Sequence, residues 1–437
     1  MTTRLEQGLT FLRSGYLFAS RIRQKAGVAA TSHAPVTLTM LGKTSHLVRG
    51  AEGVRLFYDS TRIKRDGAMP KFIQVPLFGN GAVHTLDGEE HQVRKKAMAD
   101  LAYDDARVAD FTDLVGDELE NTHRRWIADG GTVHEDTAVA FGRAAFRWAG
   151  IPLSDEEMDR RARQMNRLLD TFGRLRTNPV AAFERRRLNK WATGLIEQVR
   201  AGDIEAPADS VLAHMADLRG IDGERVDAAV AGVELQNLTR PTVAVGRFAA
   251  FAATALVEHP EWAERIRAAA GDRLTDVPEA VAFAQEVRRT HPFVPMLPGL
   301  LTQDTELSGC PMKKGQRVLL DFVGTLTSPR EWDNAASFDP ERFLPYDGVE
   351  EAEAIEAFIP QGGAGVYTGH RCPGEKIAVA ALSAATVLLT RPTVEIYRRR
   401  GPHLPVDADA HPPGHRRAHP GRDRVIPDTL GRDIHHC

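Results

Sequence analysis

Residues 358–375, F-I-P-Q-G-G-A-G-V-Y-T-G-H-R-C-P-G-E, constrain this chain more than any other stretch. The recurrent glycines let backbone lie close against a flat object. One cysteine, Cys372, stands just ahead of residues 376–389, an Ala/Leu-rich run without Gly or Pro that reads as a buried helix. Pro373 suits the first turn of that helix, where no backbone donor is needed. The free amides of Gly374 and Glu375, with the positive end of the helix dipole, favour thiolate over thiol at Cys372.

An isolated Gly-x-x-Cys-x-Gly is more often a small buried cysteine at a helix cap. This stretch is far longer, and a lone anionic sulfur at the rim of such a loop suits an axial heme ligand. The pattern F-x-P-Q-G-G-x-x-x-x-x-G-H-R-C-P-G resembles the heme-binding loop of the cytochrome P450 superfamily. Its lengthened form resembles the fatty-acid peroxygenase branch, bacterial hydroxylases and decarboxylases that run on hydrogen peroxide. The resemblance implies heme b held between a long central helix and the cysteine loop, with Cys372 as the iron ligand.

Bulk properties agree with a large enzyme. The chain has 437 residues, 42% of them apolar, and a formal charge of only −3, so no polyanion-binding surface is expected. Cys310, Cys372 and Cys437 are odd in number and far apart, which speaks against a disulfide framework and for a reducing compartment. The N-terminus lacks a continuous apolar region, and no run of about 18 apolar residues occurs. A cytoplasmic protein without a membrane span and without a nucleic-acid partner is therefore expected.

The spacing of Leu9, Leu12, Tyr16 and Leu17 predicts an amphipathic helix over 5–26, and strands follow at 36–40 and 46–49. A helix begins near Glu52. Residues 97–270 read as mostly helical, with breaks at Gly130-Gly131, Pro152, Pro179 and Pro207. The longest helix spans 225–258, and short β-prone runs such as 317–320 come after 290. The fold class is mainly α with a small β portion. Residues 1–390 read as one heme-thiolate catalytic domain.

The last 47 residues hold six of the 16 histidines, seven of the 25 prolines and nine arginines. Pro and Gly recur too often for a regular element, so 391–437 reads as a disordered tail. The i, i+4, i+8 spacing of His411, His415 and His419 would suit a metal only on a helix that the prolines forbid.

A second informative place is E-L-Q-N-L-T-R-P-T-V-A-V. Pro241 inside a helix costs roughly 3 kcal/mol. Arg240 beside it has no acid within helical reach, and Val243, Ala244, Val245, Phe248, Ala249 and Ala250 leave the helix apolar on nearly every face. An unpaired cation in such a helix awaits an anion, and a carboxylate matches its fork. Ordinary relatives carry an acid–threonine pair here, whereas the peroxygenase branch carries Arg-Pro. The resemblance thus implies that a fatty-acid carboxylate, held by Arg240 with Pro241 beside it, supplies the missing acid–base group. Hydrogen peroxide would be the oxidant, and no redox partner would be required.

Other residues follow from the resemblance alone. Phe78, Phe172, Phe293 and Val294 correspond to substrate-channel positions. His84 corresponds to a distal position where histidine accompanies decarboxylation to terminal alkenes. Arg65, His91, Lys95 and His370 correspond to heme-holding positions. Glu286, Arg289 and Arg342, in E-V-R-R and F-D-P-E-R-F, correspond to a structural network behind the heme loop. By themselves Glu286 and Arg289 are an ordinary i, i+3 pair.

Three departures stand out. Gly299-Leu300-Leu301 replaces a segment with a propionate-binding arginine, Leu326-Thr327-Ser328 replaces Asn-His-Asp, and 391–437 offers no match to the usual C-terminal β-hairpin. Two other functions stay open: a conventional reductase-fed monooxygenase, and a heme- or lipid-binding relative without catalysis.

Overall fold

The computed structural model describes residues 2–171, 178–346, 348–398 and 408–411. The central helix, Ala228–Glu258, runs unbroken through Pro241. Asp227 caps it by accepting the Ala229 N–H at 2.7 Å. Small residues let neighbouring helices come close. A Cβ added at Gly246 would lie 2.8 Å from Ala138 Cβ, on the helix Val133–Trp148. One added at Gly142 would meet Ala162 Cβ at 2.6 Å. Phe141, Phe146, Phe248 and Phe283 are fully buried around this crossing. Ridge-into-groove contact at such short range requires the missing side chains.

The remaining body is a six-stranded sheet in the order Thr2–Glu6, Val36–Met40, Lys43–Val48, Arg317–Asp321, Met296–Leu301, Ile63–Lys64. Val36 opposes Leu47 in an antiparallel hairpin, and Leu47 opposes Leu319 in a parallel pair. A second core of Phe57, Phe322, Trp332, Phe343 and Phe358 fills the space between sheet and cysteine loop. Mainly α with a small β portion is what the chain forms.

Three expectations need correction. Residues 2–6 form a strand paired in parallel with 37–39, and the expected N-terminal helix is split into Gly8–Ser14 and Phe18–Lys25. Tyr16 and Leu17 sit in the turn between them and are exposed, so the helical spacing there reflected no continuous buried face. Within 391–437, Glu395–Arg398 pairs antiparallel with Ala408–His411, which also pairs with Gly131–Thr132. A neighbouring strand thus overrides the unfavourable composition of that segment. His415 and His419 lie outside the described residues, as does Phe172. Among the described residues no helix is long and apolar enough to cross a membrane.

Candidate active site

The cysteine loop is bound from behind by buried charge. Glu375 is fully buried, accepts from Arg371 Nη1 at 3.1 Å and pairs with Arg288, which is also fully buried. Arg371 also donates to the carbonyls of Phe358 at 2.9 Å and Glu353 at 3.1 Å, and Arg288 Nε reaches Gln361 Oε1 at 3.0 Å. The Cys372 N–H donates to the Gln361 carbonyl at 3.0 Å. Each end of the loop is therefore tied to the same two arginines. Sequence reasoning missed this network because Arg288 and Glu375 lie 87 positions apart.

The cysteine helix begins at Glu375, with Gly374 as its N-cap. Pro373 thus precedes the helix and does not occupy its first turn. Burial pushes the Cys372 thiol up, while Lys95 and the Gly374 N–H pull the other way. Without a metal, the cost of desolvating the sulfur exceeds the help from the helix end.

The central helix packs on the cysteine helix Glu375–Leu389. Arg240 is 5% exposed and donates from Nη2 to Asn237 Oδ1 at 3.2 Å, while its Nε has no hydrogen-bond partner among the described residues. Burial alone lowers its pKa to about 10. Asn237 Nδ2 in turn donates to Glu234 Oε2 at 3.0 Å. Glu234 Oε1 accepts from the Val83 N–H at 2.7 Å and lies 3.5 Å from Arg94 Nη1.

His84 follows Val83 in the short turn Val83–Thr85 and stacks on Phe78. Burial, then the charges of Lys95, Arg240, His91 and Arg185, push its pKa to about 3, so its imidazole is neutral. Yet the side chain keeps exposed surface. A group enclosed by protein that still presents surface faces an internal space. Cys372, buried enough to raise its thiol, likewise retains accessible surface.

Further basic groups lie near His84. His91 and His370 lie with ring centroids 4.2 Å apart, and burial holds both far below the usual imidazole range, His91 at about 4. Arg65 spans Phe57 at 3.8 Å, donates from Nη2 to the Phe57 carbonyl at 3.1 Å, and leaves Nη1 buried without a partner among the described residues. Lys95 donates instead to the Arg371 carbonyl, and burial lowers its pKa to about 8. Its ammonium thus lies against the loop.

A Cβ at Gly299 would meet Ile63 Cγ2 at 2.5 Å and Arg65 Nη1 at 3.0 Å. The guanidinium of Arg65 therefore lies against the strand that lacks an arginine, and there is no room there for a second one. A single sulfur donor, an internal space, and the cluster of Arg65, His91 and His370 with one unused N–H fit an anionic, flat, iron-bearing porphyrin.

Glu286 and Arg289 form a bidentate buried pair at 2.6 and 2.7 Å, and Arg342 Nε approaches Glu286 at 3.5 Å. Arg289 also donates to the Leu326 and Ala335 carbonyls, so Leu326-Thr327-Ser328 contributes backbone to this network. Ser328 Oγ bonds His33 Nε2 at 2.7 Å. Phe293 packs on Phe248 with centroids 4.0 Å apart, and Val294 beside it is half-buried.

Residues 250–404 match the family model described as Cytochrome P450. Among curated proteins, a probable cytochrome P450 of Dictyostelium discoideum is 38% identical over 101 residues, 23% of this chain and 18% of that protein. Carnosic acid synthase of Rosmarinus officinalis is 32% identical over 121 residues, 27% of this chain and 23% of that one. The aligned part thus spans about a fifth of the length of these curated relatives.

Solved structures match nearly end to end. Cytochrome P450SP alpha in complex with (R)-ibuprophen is 34% identical, with a TM-score of 0.80 over 91% of this chain and 93% of that one. Cytochrome P450EX alpha with myristic acid is 28% identical, with a TM-score of 0.80 over 94% and 96%. A variant of cytochrome P450 OleT with arachidonic acid is 28% identical, with a TM-score of 0.82 over 92% and 93%.

Proposed function

Because the chain belongs to the cytochrome P450 family of oxidoreductases and its cofactor is heme b, we propose that it hydroxylates fatty acids at the α or β carbon using hydrogen peroxide. Decarboxylation to terminal alkenes is a second outcome of the same site. Residues 1–390 form the catalytic domain in this reading. The observation that carries it is Arg240, a buried guanidinium with an amide neighbour and, among the described residues, a free Nε and no carboxylate beside it. That is an anion site awaiting its anion. Fatty acids in two of the structurally similar proteins support the choice of ligand.

Bound heme b supplies the oxidising chemistry. Cys372 would hold the iron, and Arg65, His91 and His370 would hold the propionates. Arg240 binds the guest carboxylate, which carries the proton of hydrogen peroxide because no acid–threonine pair stands at 240–241. His84, neutral and stacked on Phe78, walls the same space without competing for the anion. Phe78, Phe293 and Val294 line the acyl path.

The test is product analysis of the purified holoprotein with saturated fatty acids and hydrogen peroxide, electron donors left out. Hydroxy acids should form, and Arg240→Leu should abolish them. Product that appears only with a reductase system and dioxygen would overturn the reading.

A further inference from the structure

The carboxylate of Glu234 is fully buried in the central helix, yet sequence patterning gave it no role. Its neighbours form a chain of fixed polarity. Guanidinium and backbone N–H groups can only donate. Arg240 Nη2 therefore requires the amide oxygen of Asn237, which turns Nδ2 toward Glu234 Oε2. The Val83 N–H requires the other oxygen. Both carboxylate oxygens must accept; burial pushes the pKa of Glu234 up, opposed by Asn237, Arg94 and the Val83 N–H, and the ionised form satisfies every contact. Its counter-charge is Arg94, 3.5 Å away and 6% exposed, which also grips the Gly81 carbonyl at 2.8 Å.

Asn237 thus separates Glu234 from Arg240. A carboxylate in direct contact would neutralise the guanidinium and compete with any guest acid. An amide between them fixes the orientation of Arg240 and leaves its charge unspent. The same carboxylate holds the amide of the residue before His84, so Arg240 and the His84 turn are indexed to one point.

We propose that Glu234 is the positioning residue of the fatty-acid carboxylate site, aligning Arg240 through the neutral spacer Asn237 and the His84 turn through the Val83 amide. This rests on the function proposed above. Glu234→Gln separates alignment from simple electrostatics. An amide at 234 presents N–H to Asn237, which must flip and turn its own NH2 against Arg240. Alignment then predicts weaker binding of a fatty acid. Field strength alone predicts the reverse, because a buried negative charge near the anion site has been removed.

The experiment is equilibrium dialysis of heme-loaded protein with radiolabelled tetradecanoic acid, with tetradecan-1-ol as a ligand lacking the carboxylate. Glu234→Gln and Asn237→Asp should each weaken acid binding about tenfold or more, the scale of one charge-assisted hydrogen bond. Alcohol binding should stay as in the wild type. Acid binding that is unchanged or tighter in both variants overturns the proposal, and so does equal loss of acid and alcohol. If Glu234→Gln takes up no heme, Asn237→Asp decides alone. Arg240→Leu separates the two readings. Should it bind acid like the wild type, the proposed function itself fails. Should it alone lose the acid, only the role of Glu234 fails.

Discussion

Phe78 and His84 stack with ring centroids 4.3 Å apart and 13° between their planes. The pair joins the end of the helix Lys71–Phe78 to the turn Val83–Thr85, across the glycines at 79 and 81. A flat aromatic partner and a desolvated pocket keep the imidazole neutral and fixed. His84→Gln keeps a polar group there but loses the stacked ring. We expect the alkene share of the products to fall severalfold while hydroxy acids persist, read by gas chromatography. An unchanged product ratio would remove His84 from the chemistry.

The pair Arg288–Glu375 ties the helix Pro278–Thr290 to the cysteine loop with neither side chain exposed. Arg288→Met leaves Glu375 with Arg371 alone and strips a donor from Gln361. Breaking a buried ion pair from one side costs about 3–5 kcal/mol. Chemical denaturation should show a loss of that order, with weaker retention of heme. A loss below about 1 kcal/mol would mean that Arg371 suffices.

Gly362 has φ of +103°, and a Cβ there would lie 2.4 Å from the His370 carbonyl oxygen. Gly362→Ala therefore meets both backbone strain and a clash across the loop that ends in Cys372. The expected result is a shifted or broadened heme absorbance and a midpoint for heat denaturation lower by several degrees. Wild-type spectra and stability would show that the loop can relax.

His291 stacks on Phe251 at 4.3 Å and meets Thr290 Oγ1 through Nδ1 at 2.9 Å. Burial, reinforced by the charge of Arg289 and opposed by a backbone contact to Val287, lowers its pKa from 6.5 to about 4. A depressed pKa means that the unfolded chain binds the proton first. Its contribution is present above pH 6.5 and is lost as pH falls toward 4, about 3 kcal/mol in all. His291→Asn should flatten urea-midpoint curves across that window, and an undiminished slope would assign the acid sensitivity elsewhere.

What could be read from the chain alone depended on how local the cause was. The cysteine loop is legible because its glycines, cysteine and following helix are contiguous. Arg240 was legible through an absence, since no acid stands at helical spacing from it. Glu234 was not, because it stands six positions before Arg240 and its link runs through Asn237. The buried pair of Arg288 and Glu375, and the way Arg65 lies against Gly299, depend on tertiary approach that no spacing rule encodes. The N-terminal strand Thr2–Glu6 and the pairing of Ala408–His411 were missed for a related reason. A sheet edge recruits segments whose own propensity is weak.

Val36–Met40 has Thr2–Glu6 beside it from the start, but the Lys43–Val48 edge of the hairpin gains its neighbour only from Arg317–Asp321. During synthesis at roughly 5–20 residues per second, that neighbour leaves the ribosome about a quarter-minute to a minute later. For that interval Leu47 and Val48 present an unpaired apolar edge, a ready ligand for a holdase chaperone and a hazard on crowded polysomes.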